Sequence, residues 1–442
     1  MIDRTINLIR QNARPISETA ANDDALMDFI GDANIVLMGE ASHGTHDFYY
    51  ERAQISRRLV AEKGFSAIAV EADWPDAYRI NRFVRGMGED LTPRESVGDF
   101  RRFPTWMWRN TDVLNFIDGL RQYNDNLPEN SRKVGFYGLD LYSLYTSIAA
   151  VLQYLDRVDP EAAQRARDRY NCFGQFGEEP QEYGFATAFG LTKSCENEVV
   201  NQLLELQRQA ADYAQRDGSI PEDEFFYAEW NAQVIKDAEE YYRAMFRGQV
   251  SSWNLRDRHM GETLDRLIEH GAREGEPMKV IVWAHNSHLG DARATQMGDR
   301  GELNLGQLAR ERYGNEVVSV GFTTHTGTVA AASDWDAPVQ LKRVRPSMGN
   351  SYENLFHRTQ MERFWLSLRE EEIARSLESP RLERAIGVIY RPETERASHY
   401  FYASLSRQFD AIIHVDNSRA VEPLDRIQPE PEDLPETYPH AI

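Results

Sequence analysis

Cysteine is scarce in this chain. Cys172 and Cys195 are the only two among 442 residues, too few for a disulfide scaffold and lacking the close pairing of a metal or redox motif. Long apolar runs are missing as well. No stretch approaches ~18 uninterrupted hydrophobic residues, and the first residues, with Asp3, Arg4, Asn7 and Arg10, lack the apolar core of a signal peptide. These absences set the expectation of a soluble, cytoplasmic protein from a reducing compartment, with no membrane partner. Positive charge is short: 50 Lys and Arg face 71 Asp and Glu, a net charge of −21, which opposes binding to phosphate backbones and anionic membrane surfaces. No nucleic-acid partner is expected, and basic pairs such as Arg57-Arg58 and Arg101-Arg102 read as solvated faces.

Several catalytic signatures are absent too. There is no Gly-x-Ser-x-Gly elbow, and although Ser42 lies beside His43, adjacent residues seldom place a hydroxyl and an imidazole in attack geometry. Phosphate-loop and dinucleotide fingerprints are missing; the stretch from Gly39 to Gly44 carries Glu40, which would repel an approaching phosphate. Neither cysteine lies near the polar clusters described next, which argues against a thiol nucleophile.

What the chain does have is a recurring junction. Seven short, largely β-branched runs, at 34–38, 66–70, 133–137, 278–283, 316–320, 385–389 and 411–415, each end in chemically capable residues. The first stops at Gly39-Glu40-Ala41-Ser42-His43-Gly44-Thr45-His46, the second at Glu71-Ala72-Asp73, the third at Gly138-Leu139-Asp140 and the fourth at Ala284-His285-Asn286-Ser287-His288. Near-continuous apolar runs of this length predict strands buried on both faces, hence a parallel sheet covered by helices. In such sheets ligands bind beyond the carboxyl ends of the strands, so Glu40, His43, Glu71 and His285 are expected to share a pocket.

The expected fold is therefore α/β, a three-layer α/β/α arrangement with a mostly parallel sheet and an inserted all-helical subdomain. Residues 1–140 and 276–425 supply the two halves of the core. Residues 141–275 form the insertion, because apolar residues recur there at helical spacing, as in Val199, Leu203 and Leu206, without strand-like alternation. Breaks are expected in the loop 172–190 and in the turn 217–221. Residues 426–442 read as a Pro/Glu-rich, irregular tail. With 41% hydrophobic residues, and with 20 Phe, 20 Tyr and 8 Trp, there is ample material for a core.

After the first strand a helix is expected to run to Lys63, with Thr45 or a neighbour as its cap and Gly64 as its stop. Phe48, Arg52, Ile55 and Leu59 share one face of it, so Arg52 interrupts an apolar stripe. Either its stem snorkels past the core, or it points into the pocket to pair with a carboxylate such as Glu71 or to hold an oxyanion. His43 is the candidate general base, since a neutral imidazole accepts a proton from water near pH 7, with Glu40 or Glu71 to orient it. The pairs His43/His46 and His285/His288, with Glu40, Glu71 or Asp73, also admit a metal. Neither pair completes a zinc signature, so no cofactor is expected, with a divalent metal as the alternative.

Together, the stretches 39–44, 70–73, 256–260 and 283–288 resemble those of the erythromycin esterase-like family, in the same order and over about residues 20–420. The resemblance implies an α/β/α core with a helical subdomain and hydrolysis of a macrolide lactone by activated water, without a defined natural substrate. Position by position, His43 resembles the catalytic base, Glu40 and Glu71 its supporting carboxylates, and Arg52, Arg256 and His285 the other polar groups of the cleft. Arg256, His288, His46 and Asp73 are the expected substrate-binding residues. The expected function is hydrolysis of a small-molecule carboxylic ester or lactone, with His43 deprotonating water. A metal-dependent hydrolase on the same cluster and a non-catalytic haem or small-ligand binder are the alternatives. The oligomeric state is not read from the sequence.

Overall fold

A computed structural model describes residues 2–129, 131–177, 179–216, 222–246, 248–273, 278–425 and 428–429. The turn expected at 217–221 and most of the tail lie outside the described residues. In chain order the described strands are β1 (Arg14–Pro15), β2 (Ile35–Met38), β3 (Ala67–Asp73), β4 (Gly135–Asp140), β5 (Val280–Trp283), β6 (Val317–Ala331), β7 (Gln340–Val344), β8 (Arg363–Ser367), β9 (Arg381–Arg384), β10 (Tyr400–Ala403), β11 (Ala411–Ser418) and β12 (Gln428–Pro429). The main sheet runs β1-β8-β11-β6-β2-β5-β3-β4, with β7 on the far end of β6 and β12 beside β7. Pairings from β11 through to β4 are parallel; β8 joins β11, and β7 joins β6, antiparallel.

Alternation along the strands sorts the core into two layers. Val36, Met38, Ile68, Val70 and Phe136 face helices that carry Phe48, Ile55, Leu59, Ile80, Phe116 and Leu120. Ile35, Leu37, Ala67, Ala69, Val280 and Val282 face Trp230, Val234, Met260, Leu264, Leu267, Leu305 and Ala309. That makes a three-layer α/β/α fold. Between β4 and β5 the described residues are helical or turn, and a third core of Val151, Leu155, Ala166, Tyr183, Leu206 and Ile235 holds these helices together. The last two, Glu222–Ala244 and Gln249–Arg273, also cover the second face of the sheet.

Three expectations need correction. The run 385–389 is not a strand: only Ile386 and Ile389 make isolated bridges, to Ser42 and Ala332. Its backbone instead closes onto the turn after β2, where the Ile386 N–H donates to the Ala41 carbonyl at 2.8 Å. Several strands also outrun their apolar runs. β3 continues through Glu71 to Asp73, β4 through to Asp140, and β6 extends to Ala331, because neighbouring backbone satisfies the ladder where hydrophobicity has ended. Finally, Cys172 and Cys195 are joined by a disulfide, so the reducing-compartment expectation loses the support it drew from them. No helix among the described residues is long and apolar enough to cross a membrane.

Candidate active site

The turn after β2 is shaped by close backbone approach. A Cβ on Gly39 would stand 2.1 Å from Asn286 Oδ1, and one on Gly44 1.9 Å from the Ala330 carbonyl oxygen, so only glycine fits at either end. The same approach docks this turn on the one after β5, where the Asn286 N–H donates to the Glu40 carbonyl at 2.8 Å. Strands β2 and β5 are neighbours in the sheet, and the two histidine-bearing turns open on the same side: the rings of His43 and His285 are 4.9 Å apart.

His43 Nδ1 lies 2.8 Å from Glu40 Oε1, and the other Glu40 oxygen accepts from Arg52 Nη2 at 2.6 Å. A carboxylate can only accept, so Nδ1 carries the hydrogen and Nε2 is left as the basic nitrogen. That nitrogen is 3.9 Å from Glu71 Oε1. Arg52 is 1% exposed on the helix His46–Lys63, with its guanidinium over the rings of Tyr49 and Trp283. It neither snorkels nor meets the substrate space: it stands behind Glu40, not Glu71, and fixes that carboxylate for His43.

Glu71 is the hub of a second network. Its Oε1 accepts from Arg256 Nη2 at 2.7 Å and stands 3.4 Å from His288 Nε2, while Oε2 accepts the His285 backbone N–H at 2.8 Å. Burial works to raise this carboxyl, but the charges of His288 and Arg256, and of His43 once it is protonated, outweigh it and hold it well below the usual range. Arg256 also makes a fork to Asp140, at 3.0 Å through Nε and 2.6 Å through Nη2.

His285 and His288 part company although they share one turn. His288 Nδ1 lies 2.9 Å from Asp257 Oδ1, and its ring stacks on Trp253 at 4.5 Å. Burial lowers its pKa, but Asp257 and Glu71 outweigh burial and bring it up to about 9. Arg256 Nη1, which can only donate, lies 3.0 Å from His288 Nε2, and the carboxylates of Glu71, Asp140 and Asp257 surround the pair. His285 has no carboxylate of its own. Its Nδ1 accepts the Ser287 N–H at 3.2 Å and its Nε2 is buried without a hydrogen-bond partner of standard geometry. Burial and the neighbouring His43 push it down to about 3, so it is a neutral imidazole with an N–H at Nε2.

These groups line a cleft of about 660 Å3 between the strand ends and the helical segment, walled by Phe100, Trp108, Tyr142 and Trp253 among others. His43, Glu71, Asp73, Arg256, His285 and His288 face it. His46 does not: its Nδ1 meets Asp112 at 2.8 Å and its ring stacks on Tyr50 at 5.9 Å, because it opens the next helix and turns away. That removes His46 from the substrate space and from any shared metal shell. Among the described residues no group of three or more His, Cys, Asp or Glu side chains has metal-holding geometry.

Sequence reasoning missed several residues. Asp140 ends a strand just as Glu71 does and could have been assigned on that signal. Asp257 follows Arg256 directly, and Trp253 precedes it by one helical turn. Arg102, whose side chain is 45% exposed as a solvated face requires, also lines the cleft and pairs with Asp73 at 3.2 Å; nothing local marks that second role, since the residue is brought there by the loop after the helix Pro93–Ser96.

Comparison with known proteins bears on the family and the fold. The family model described as erythromycin esterase matches residues 60–418. Erythromycin esterase type II of Escherichia coli is 24% identical over 317 residues, covering 69% of this chain and 72% of the relative. A putative hydrolase, YbfO, of Bacillus subtilis (strain 168) is 22% identical over 345 residues, 74% of this chain and 73% of the relative. In fold, the chain is similar to a crystal structure described as a succinoglycan biosynthesis protein, with a TM-score of 0.77 and 21% identity over 96% of this chain and 98% of the other. It is also similar to the erythromycin esterase EreC, in an open conformation with a His-to-Asn substitution, at a TM-score of 0.65 and 18% identity over 89% and 93% of the two chains.

Proposed function

The chain belongs to the erythromycin esterase family, and from that premise we propose that it hydrolyses a carboxylic ester or lactone of a small molecule with a water activated by His43. The observation that carries this reading is the pairing of His43 with the Glu40–Arg52 unit behind it and Glu71 before it. Glu40 fixes the tautomer and supports the imidazolium that forms. A water in the cleft can touch both His43 Nε2 and Glu71 Oε1, which stand 3.9 Å apart. His43 takes its proton as the oxygen attacks the carbonyl carbon, and later returns that proton to the leaving alkoxide.

The oxyanion falls to His285. Its neutral ring carries an Nε2–H without a partner of standard geometry, beside the Ala41 carbonyl, and a donor that is not fully satisfied is what a developing negative charge requires. Arg256 is engaged by Glu71 and Asp140 and serves to hold those carboxylates. No cofactor enters this scheme, and the substrate is set by the aromatic walls of the cleft.

A panel of esters and lactones, macrolides included, assayed with wild type and His43→Ala tests the reading. Wild type is expected to turn over at least one member, with kcat falling by roughly 10²–10⁴-fold in the variant, and with activity unchanged after dialysis against a chelator. Full activity in His43→Ala would remove this residue from the mechanism.

A further inference from the structure

Two carboxylates in the cleft are unused by the mechanism and poorly partnered. Asp76, in the first turn of the helix Trp74–Arg85, is 5% exposed, faces the cleft, and has no hydrogen bond or ion pair among the described residues. Beside it, Asp73 spends one oxygen on Arg102, and its Oδ1 is buried without a partner of standard geometry, although the Tyr142 backbone N–H lies near the carboxylate. Arg102 is itself shared, donating to the Tyr142 carbonyl and the Tyr242 hydroxyl. Buried carboxylates are normally saturated with donors, as Glu71 and Asp140 are here by Arg256. Asp76 feels Arg102 and Arg101 only through space, against the like charges of Asp73 and Asp99.

The geometry points to a subsite for an organic cation, a protonated or quaternary amine on the substrate, held by Asp76 and Asp73 against the aromatic wall. This rests on the cleft binding substrate, as proposed above. The wall at this end carries Phe100, Phe103 and Tyr242, which suit a weakly hydrated ammonium group through their ring faces. A bare metal ion needs a fuller shell of oxygen ligands, and among the described residues no group of metal-type side chains has that geometry. An anionic ligand would meet two carboxylates for one guanidinium. Burial and the neighbouring Asp73 and Asp99 push the Asp76 carboxyl up to about 8, so a cationic ligand would supply the positive charge that a bound proton otherwise gives.

Calorimetric titration with choline and with 3,3-dimethylbutan-1-ol, its neutral isostere, tests the subsite without reference to turnover. Wild type is expected to bind choline roughly tenfold more tightly than the alcohol, and Asp76→Asn to bring the ratio near one. Asparagine resembles the protonated acid that the fold already tolerates; should it nonetheless fail to fold, Asp73→Asn and the wild-type ratio still decide. Equal affinity for the two ligands in wild type, or a preference surviving both substitutions, would overturn the inference. Choline preference without hydrolysis of any ester would instead overturn the proposed function and leave the subsite standing.

Discussion

The turns after β2 and β5 each carry two histidines three residues apart, and the fold treats the two pairs differently. After β5 the segment Asn286–Leu289 is a single helical turn, with His285 as its cap, so both rings stay over the strand ends and face the cleft. After β2 the same spacing straddles the start of a helix of 18 residues. His43 lies before that start and faces Glu71; His46 lies on its first turn and faces Asp112. Spacing alone therefore says nothing about shared direction; what decides is where the helix begins.

The largest way to break this comparison is to remove the group that ties the turn after β5 to its neighbours. Arg256→Met leaves Asp140 buried without its cation and Glu71 with His288 alone beside it, and breaking such a network costs about 3–5 kcal/mol. Since Glu71 also receives the His285 backbone N–H at 2.8 Å, the turn after β5 should loosen. A melting temperature lowered by several degrees with hydrolysis lost is expected, and an unchanged melt would show that the network is not structural. His43→Ala should act in the opposite sense, with turnover lost and the melt nearly kept.

How much of this was legible in the sequence follows from the same contrast. The strand ends carrying Glu71, His285 and His43 were readable because a β-branched run stops where chemistry starts. Convergence followed from parallel topology alone, and the resemblance added Arg256, though no strand end marks it. The direction of Arg52 was not legible: its place in an apolar stripe is fixed, but Glu40, not Glu71, takes it, because the turn after β2 folds Glu40 back over the helix. Antiparallel β8 and the bridge-only segment 385–389 were missed, since partners far along the chain, not local pattern, determine which apolar run enters the sheet.

The two histidines of the turn after β5 make a smaller, sharper test. His288, held up at about 9, contributes stability fully present below the unfolded value near 6.5 and lost as pH rises through about 9. His285, held down at about 3, contributes in the other sense: its stability is present above about 6.5 and lost as pH falls toward 3. Melts recorded from pH 4 to 9.5 should therefore fall at both ends. His288→Gln is expected to flatten the alkaline limb and His285→Gln the acidic one. Interchanged effects would mean that Asp257 does not select between the rings.

The smallest effect is expected at His46, and it bears most directly on the contrast between the turns. The hydrogen bond to Asp112, against the opposing pull of burial, raises the pKa of His46, but the imidazole is 26% exposed, so solvent screens the pair and its loss should cost about 1 kcal/mol or less. The contact links the helix His46–Lys63 to the helix Thr111–Asp125, neither of which needs it to present His43, whose position is set by Glu40 and by the glycines of the turn. His46→Gln should thus leave kcat within about twofold across a panel on which His43→Ala loses two orders of magnitude or more. If instead His46→Gln lost activity on the scale of His43→Ala with an unchanged melt, His46 would have to swing into the cleft during turnover. The helix start would then not be what separates the two rings.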